Sequence, residues 1–191
     1  MTVKVGRPRA EALDAAILDA AAELIIVDGY QAASIDAIAR KAGTTRPAVY
    51  RRHGSRGHLV VTAVARRFGL DPATDTGSLR GDLLAVQRAQ LAFFADPLVE
   101  RALPGLLEET ARDAELRSQF FDEFVRPRRE STARALERAV GRGEVESGFD
   151  GEWICDLLTG PLLMRAFLPT GPIDENLAHQ TVDAAMAALG G

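Results

Sequence analysis

Hydroxyl and basic side chains are concentrated between Thr44 and Arg56, and their types match the chemistry of duplex DNA. Arginine can hydrogen-bond guanine through a bidentate fork or pair with a phosphate. Threonine and tyrosine hydroxyls bond phosphate oxygens, and the threonine methyl group can contact the methyl group of thymine. The candidate contacts chosen on these grounds are Thr44, Thr45, Arg46, Tyr50, Arg51 and Arg56.

Local signals predict that two short helices joined by a glycine turn position these side chains. Ser34 is a favourable N-cap, and the apolar residues after it recur at helical spacing through Ala39. Gly43 suits a turn that requires positive φ. Pro47 fits the first turn of a second helix, and Val49 can pack back on the first helix. This is the order of a helix-turn-helix, whose second helix enters the DNA major groove.

The residues before this pair are expected to support it. Residues 1–9 are short and basic, and we expect a flexible arm that lays Arg7 and Arg9 into the minor groove or along the phosphates. Residues 11–28 have the apolar periodicity of a supporting helix. A DNA-binding domain is therefore expected over 10–57. The alternatives are a solvated tail for the arm and an ordinary αα-hairpin with a solvated basic face for the helix pair.

Charge divides the 191-residue chain into two parts. The residues through Arg67 carry a net charge of +5, and those from Phe68 onward carry −9, which together give −4. A basic footprint for nucleic acid needs only to be local. An acidic second part also discourages DNA from binding to the wrong face.

The TetR (tetracycline repressor-like) family of bacterial regulators has an N-terminal domain that resembles the run AILDAAAELIIVDGYQAASIDAIARKAGTTRPAVYRRHGSRGHLV. The resemblance covers roughly the first third of the chain and depends on many spaced positions that agree together. It implies an all-α homodimer that binds a palindromic DNA operator, usually as a repressor, and is released by a small-molecule effector. Ser34, Thr45, Tyr50 and Arg56 match the positions that usually contact DNA in this family.

Two positions depart from the family pattern. His53 stands where an aromatic residue is usual, and Arg56-Gly57 stands where a lysine and an acid are usual. Arg56 keeps a phosphate contact plausible. His53 either weakens the packing or adds a group that titrates between about pH 5 and 8; we favour a histidine that is half-buried at the helix end.

After residue 57, proline, glycine and capping residues mark the ends of predicted helices, and no strand is predicted. These helices are assigned to an effector-binding and dimerisation domain over 58–191. They are expected at about 59–68, 78–95, 96–112, 114–140, 150–168 and 174–189. Kinks or breaks are expected at Pro104, Pro127 and Gly160-Pro161. The predicted fold is therefore all-α, with an N-terminal three-helix helix-turn-helix domain joined to a helical ligand-binding and dimerisation domain.

The last two predicted helices are apolar on more than one face, which favours a two-fold helical interface. The candidate interface residues are Trp153, Leu157, Met164, Phe167, Val182, Met186 and Leu189. The alternative is that they form the core of a monomer.

Phenylalanines with interspersed glutamines in the middle helices favour a pocket for a hydrophobic or aromatic effector. The candidate ligand residues are Gln87, Gln90, Phe94, Leu107, Phe120, Phe121, Phe124 and Leu163. For any one phenylalanine, ordinary core packing is the alternative.

The remaining residues do not indicate an enzyme or a cofactor. The single cysteine, Cys155, is expected to be inert core, and the absence of an intrachain disulfide agrees with a cytoplasmic protein. The three histidines lack metal-ligand spacing, and no P-loop, dinucleotide fingerprint, nucleophile elbow or transmembrane run is present. Two alternatives stay open, a helical ligand-binding protein or enzyme on the same fold and a regulator without a small-molecule effector. The operator sequence, the effector and the sign of regulation are not encoded in a recognisable form.

Overall fold

The computed structural model describes residues 6–68, 74–168 and 170–190, with side chains from Ala10 onward. Within these ranges the chain is helical and contains no strand, which confirms the predicted all-α fold. The α-helices are α1 (Gly6–Asp28), α2 (Ile35–Lys41), α3 (Arg46–His53), α4 (Arg56–Phe68), α5 (Leu79–Phe94), α6 (Pro97–Thr110), α7 (Ala114–Phe120), α8 (Arg126–Arg142), α9 (Gly151–Phe167) and α10 (Glu175–Gly190). A 3₁₀ turn spans Tyr30–Ala32, and a π-helical turn spans Phe121–Val125.

The first helix begins earlier than predicted. α1 starts at Gly6, so residues 6–9 are helical and do not form the expected flexible arm. Pro8 lies in the first turn, where a missing N–H breaks no intrahelical bond. Residues 1–5 and the side chains of Arg7 and Arg9 lie outside the described part, so the DNA contacts of these two arginines stay a prediction.

The long helix expected at about 114–140 is divided into α7, the π-helical turn and α8. Pro127 lies in the first turn of α8 and cannot donate a backbone hydrogen bond to the preceding turn. A wider turn accommodates the proline ring and the missing donor. α6 and α9, by contrast, continue through Pro104 and Pro161 without a break in the helix.

The chain packs as two compact units. The head unit comprises Met1–Arg67 with Pro97–Glu123, and the bundle unit comprises Phe68–Asp96 with Phe124–Gly191. The head unit therefore includes α6 and α7, although the sequence predicts a division between residues 57 and 58. In the head unit the ring of Tyr30 lies against Gly105 of α6, where an added Cβ would come within 2.3 Å of the ring.

The bundle unit is built from α5, α8, α9 and α10. Its core is formed by Leu79, Leu83, Ala135, Leu136, Ala139, Ile154, Leu158, Val182 and Ala185. Asp82 of α5 is 1% exposed and accepts a 2.9 Å hydrogen bond from Arg138 of α8. Burial alone would raise the pKa of Asp82, but hydrogen bonds from Thr76 and Arg138 outweigh that effect and hold the pKa below its usual range. This ion pair fixes α5 beside α8.

Candidate nucleic-acid interface

Helix α2 is capped at both of its ends. Ser34 precedes α2, and its hydroxyl accepts a hydrogen bond from the Ala37 N–H at 3.2 Å, which confirms the predicted N-cap. At the other end Gly43 has φ 63°, and the Thr44 N–H donates to the Ala39 carbonyl at 2.9 Å. This pattern is a Schellman ending, which glycine permits at no steric cost.

α3 has one buried anchor and an open polar face. Val49 is fully buried, whereas Thr45, Arg46, Tyr50 and Arg51 are exposed. Since residues three and four apart share a helix face, Arg46 and Tyr50 are neighbours on the outer surface. The arrangement agrees with the face that the sequence assigns to DNA contact.

Two side chains on this face are free to bind a ligand. Thr45 is the N-cap residue of α3, but its hydroxyl makes no capping bond. Arg51 makes no hydrogen bond or ion pair with any part of the chain that the structure describes. A hydroxyl and a guanidinium that are already exposed lose little internal bonding when they bind a phosphate or a base edge.

Arg46 is held in place by two neighbours. One guanidinium nitrogen donates to the Asp36 carboxylate of α2 and another donates to the Tyr50 hydroxyl, both at 3.3 Å. The hydrogen bond to Tyr50 and the charge of Asp36 both raise the pKa of Arg46, which therefore stays charged. The ion pair is exposed and contributes little to stability, but it orients the side chain.

The Arg56 guanidinium is bonded within the head unit, and its contact with DNA stays a prediction. Its Nε donates to the Glu109 carboxylate of α6 at 3.1 Å, and Nη1 donates to Gln31 at 3.2 Å. The guanidinium also lies 4.4 Å from the centre of the Tyr30 ring. A phosphate contact by Arg56 would compete with these bonds. Glu109 lies 53 residues away in sequence, and no local pattern indicates this partner.

His53 lies at the end of α3 with 6% of its side chain exposed. Its Nε2 lies 2.9 Å from an Asp14 carboxylate oxygen of α1, although the contact lacks hydrogen-bond geometry. Burial lowers the pKa of His53, and the attraction of Asp14 offsets this only in part. The neutral imidazole therefore replaces the aromatic ring that is usual at this position.

The candidate ligand residues fall in both units. Leu107, Phe120 and Phe121 belong to the head unit, and the other five belong to the bundle unit. Phe121 is 44% exposed. Gln87 is fully buried, and its Nε2 donates to the Leu158 carbonyl at 2.9 Å and to the Thr181 hydroxyl. Its amide nitrogen is thus committed to the bundle core and is not available to a ligand.

The candidate dimer residues are exposed to different degrees. Trp153 and Met164 are 54% and 53% exposed, and Phe167 is 38% exposed. Leu157, Met186 and Leu189 are partly buried. Val182 requires a correction, since it is fully buried in the core of its own unit and leaves no surface for a partner. Leu168, which is not among these predicted residues, is 50% exposed.

In the described residues no group of three histidine, cysteine or acidic side chains is arranged to hold a metal ion. Over the same residues, no helix has the length and apolar character needed to cross a membrane.

Comparison with known proteins matches both parts of the chain to one family. The family model described as "Bacterial regulatory proteins, tetR family" matches residues 17–63, and "Tetracyclin repressor-like, C-terminal domain" matches residues 73–185. The chain is 31% identical to the DNA-binding transcriptional repressor TetR of Mycobacteroides abscessus, over 95% of each chain.

Solved structures agree with the sequence matches. The TetR family transcription regulator SCO0332 has 26% identity and a TM-score of 0.72, with 92% of this chain and 97% of that chain covered. FadR of Bacillus subtilis, solved with stearoyl-CoA, has 15% identity and a TM-score of 0.71, with 91% and 98% covered; this likeness concerns the fold. With an anchored helix-turn-helix at one end and family matches along both parts, the chain belongs to the TetR family and is a DNA-binding transcriptional regulator.

Proposed function

We propose that the protein is a repressor that binds a palindromic operator as a homodimer and is released by a small hydrophobic or aromatic effector. The open outer face of α3 carries this proposal. Val49 anchors the helix, and Thr45, Arg46, Tyr50 and Arg51 remain exposed at the surface that would enter the major groove. Thr45 and Arg46 are assigned to base edges, and Tyr50 and Arg51 to phosphates.

The homodimer is supported by the apolar surface of α9. Trp153, Leu157, Met164 and Leu168 recur at spacings of four, seven and four residues, which places them along one side of the helix. Three of these four side chains are at least half exposed. An apolar stripe of this kind gains free energy when a second copy covers it, and a two-fold dimer matches a palindromic site.

A second candidate is a regulator without a small-molecule effector. The position of Gln87 favours it, because this residue is fully buried and bonded inside the bundle. The exposed face of α3 serves both candidates equally. Thermal stability measured against a panel of aromatic compounds separates them, since a ligand that binds the folded state raises the melting temperature.

The proposed operator is tested by incubating the purified protein with fragmented genomic DNA of its host and sequencing the retained fragments. A two-fold symmetric motif is expected. Retention without sequence preference, or loss of all retention at moderate salt, would contradict the operator proposal.

Arg51→Ala tests the phosphate assignment on α3. Because Arg51 has no other partner in the described chain, its removal should weaken binding to every operator sequence alike. The slope of log affinity against log salt should fall by about one. Arg134→Ala is the matched control: it removes an arginine of the bundle unit whose ion pair with Glu130 is exposed. If Arg51→Ala changes sequence preference instead, Arg51 contacts bases.

A further inference from the structure

Two exposed arginines of α3 differ in how they are held. Arg51 makes no hydrogen bond or ion pair with any described residue. Arg46 donates from Nη1 to the Asp36 carboxylate of α2 and from Nη2 to the Tyr50 hydroxyl of α3, both at 3.3 Å. Bonds to two different helices restrict the direction of the Arg46 side chain and the plane of its guanidinium, whereas the Arg51 side chain keeps its rotamer freedom.

Base recognition and phosphate binding place different demands on an arginine. A phosphate presents acceptor oxygens in several directions, so a mobile cation can approach it in many geometries. A guanine is read by N–H groups that meet its O6 and N7 acceptors in the plane of the base. The held arginine, Arg46, is therefore suited to a base edge, and the free one, Arg51, is suited to a phosphate.

The bonds to Asp36 and Tyr50 leave donors on Arg46 for a base. A guanidinium has five N–H donors, and each terminal nitrogen carries two of them. One bond at each terminal nitrogen thus leaves each with a second N–H, and the group can still donate to two acceptors. The Arg46 and Asp36 side chains are 56% and 55% exposed, so a nucleic acid can reach them.

Tyr50 connects this arginine to the DNA backbone. Its hydroxyl accepts from Arg46 and keeps its own hydrogen, which it can donate to a phosphate oxygen. The Arg46 guanidinium carbon lies 5.4 Å from the centre of the Tyr50 ring. A phosphate contact at Tyr50 would therefore fix the position from which Arg46 reaches the bases.

Asp36 lowers the affinity of this surface for DNA when it is considered by itself. Its exposed carboxylate repels phosphates, and it gives Arg46 a partner that competes with non-specific phosphate contacts. Such a residue is explained if it contributes to specificity at a cost in affinity. The alternative is that Asp36 only stabilises the first turn of α2, where a negative charge is favourable.

We propose that Asp36 is a positioning residue for operator recognition: with Tyr50 it fixes the Arg46 guanidinium, so that this arginine selects a guanine and not a phosphate. This inference rests on the proposed operator function and specifies how one base pair of the operator is read. Asp36 acts through Arg46 and needs no contact of its own with DNA.

The test measures binding of the full chain to the recovered operator duplex and to each of its single base-pair variants, by fluorescence anisotropy at fixed salt. Arg46→Ala identifies the G·C pair that Arg46 reads, as the position where a preference of about tenfold or more is lost. Asp36→Ala should reduce the preference at that pair to about threefold or less and keep the preferences at other pairs. Its affinity for a duplex without the operator should rise, because a carboxylate that repels phosphates is removed.

Two further variants separate positioning from a structural role. Asp36→Asn keeps an acceptor oxygen for Arg46 and should restore part of the preference. In the Arg46→Ala background, Asp36→Ala should have no further effect at this pair, since no guanidinium is left to orient. A purely structural role in α2 would instead lower the melting temperature and leave the base preferences unchanged.

Glu23→Ala is the matched control, since it removes the same charge from an exposed ion pair of the head unit, in which the Glu23 carboxylate lies 2.6 Å from Lys41 Nζ. It should keep every base preference. The proposal is overturned if Arg46→Ala loses no preference at a G·C pair, if Asp36→Ala keeps the preference at that pair, or if Asp36→Ala weakens all preferences alike. A wild type without any base preference would contradict the operator function as well, so the two failures are distinguishable.

Discussion

The side chains of α3 divide into those that pack in the head unit and those that are exposed to a DNA partner, and burial distinguishes the two groups. Val49 and His53 lie against the rest of the head unit, whereas Thr45 and Arg51 are exposed. A substitution at a buried position should therefore change stability first, and a substitution at an exposed position should change DNA affinity first.

His53→Phe should make the head unit less sensitive to acid. Burial holds the pKa of His53 below its unfolded value of about 6.5. As pH falls below that value, the unfolded chain takes up a proton that the folded chain resists, so the free energy of unfolding decreases. Phenylalanine removes this contribution, and the variant should gain stability over the wild type at pH 5.5 relative to pH 7.5.

Urea unfolding at the two pH values checks this expectation. The groups that face His53 include Asp14 of α1, whose charge opposes the effect, and Arg52 of α3, whose charge adds to it. His179→Phe is the control, because its side chain is 43% exposed in α10. An equal response of the two variants to pH would show that His53 is not the sensitive group.

Local residue patterns predict much of the candidate interface, because caps and turns depend on near neighbours. Ser34, Gly43 and Val49 have the roles expected from the sequence. For Arg56 local patterns do not predict the bond to Glu109, since this partner comes from a distant helix. Exposure of a polar side chain can be inferred from periodicity, but the partner that folding supplies cannot.

Close approach between elements is found at α6 of the head unit. Gly105 lies where the Tyr30 ring would meet a Cβ at 2.3 Å. The pKa of Tyr30 is raised, first by burial and then by the charge of Glu109. The 3₁₀ turn, α4 and α6 therefore meet around one aromatic ring. The sequence predicts α6 itself but attaches it to the effector domain, because packing partners are not encoded locally.

Gly105→Ala should destabilise the protein by about 1 to 3 kcal/mol, because the added methyl group overpacks against the Tyr30 ring. Without this contact, alanine in a helix would stabilise by up to about 1 kcal/mol relative to glycine. Gly141→Ala in α8 is the control, since a Cβ there meets nothing within 4 Å. The melting temperature should fall in Gly105→Ala and rise in Gly141→Ala. A rise in both would show that α6 can shift to accommodate the added methyl group.

In a single chain, apolar surface along α9 is exposed to solvent. Trp153, Met164 and Leu168 are each at least half exposed, although the adjacent residues Ile154 and Leu158 are fully packed in the bundle. Apolar character alone cannot separate these groups, so the sequence predicts Val182 at the interface although it lies in the core. Burial within the chain now separates them.

A charge on this surface should prevent dimer formation and with it operator binding. Trp153→Asp and Met164→Asp place carboxylates that would have to be desolvated in the dimer, so sedimentation should show a monomer. Loss of the second half-site contact should lower operator affinity by about 10² to 10⁴. Val27→Asp makes the same change at a residue of α1 that is 71% exposed, and this variant should stay dimeric. Were the α9 variants to remain dimers with full operator affinity, the interface would lie elsewhere, and the apolar stripe would have to be covered by a different partner.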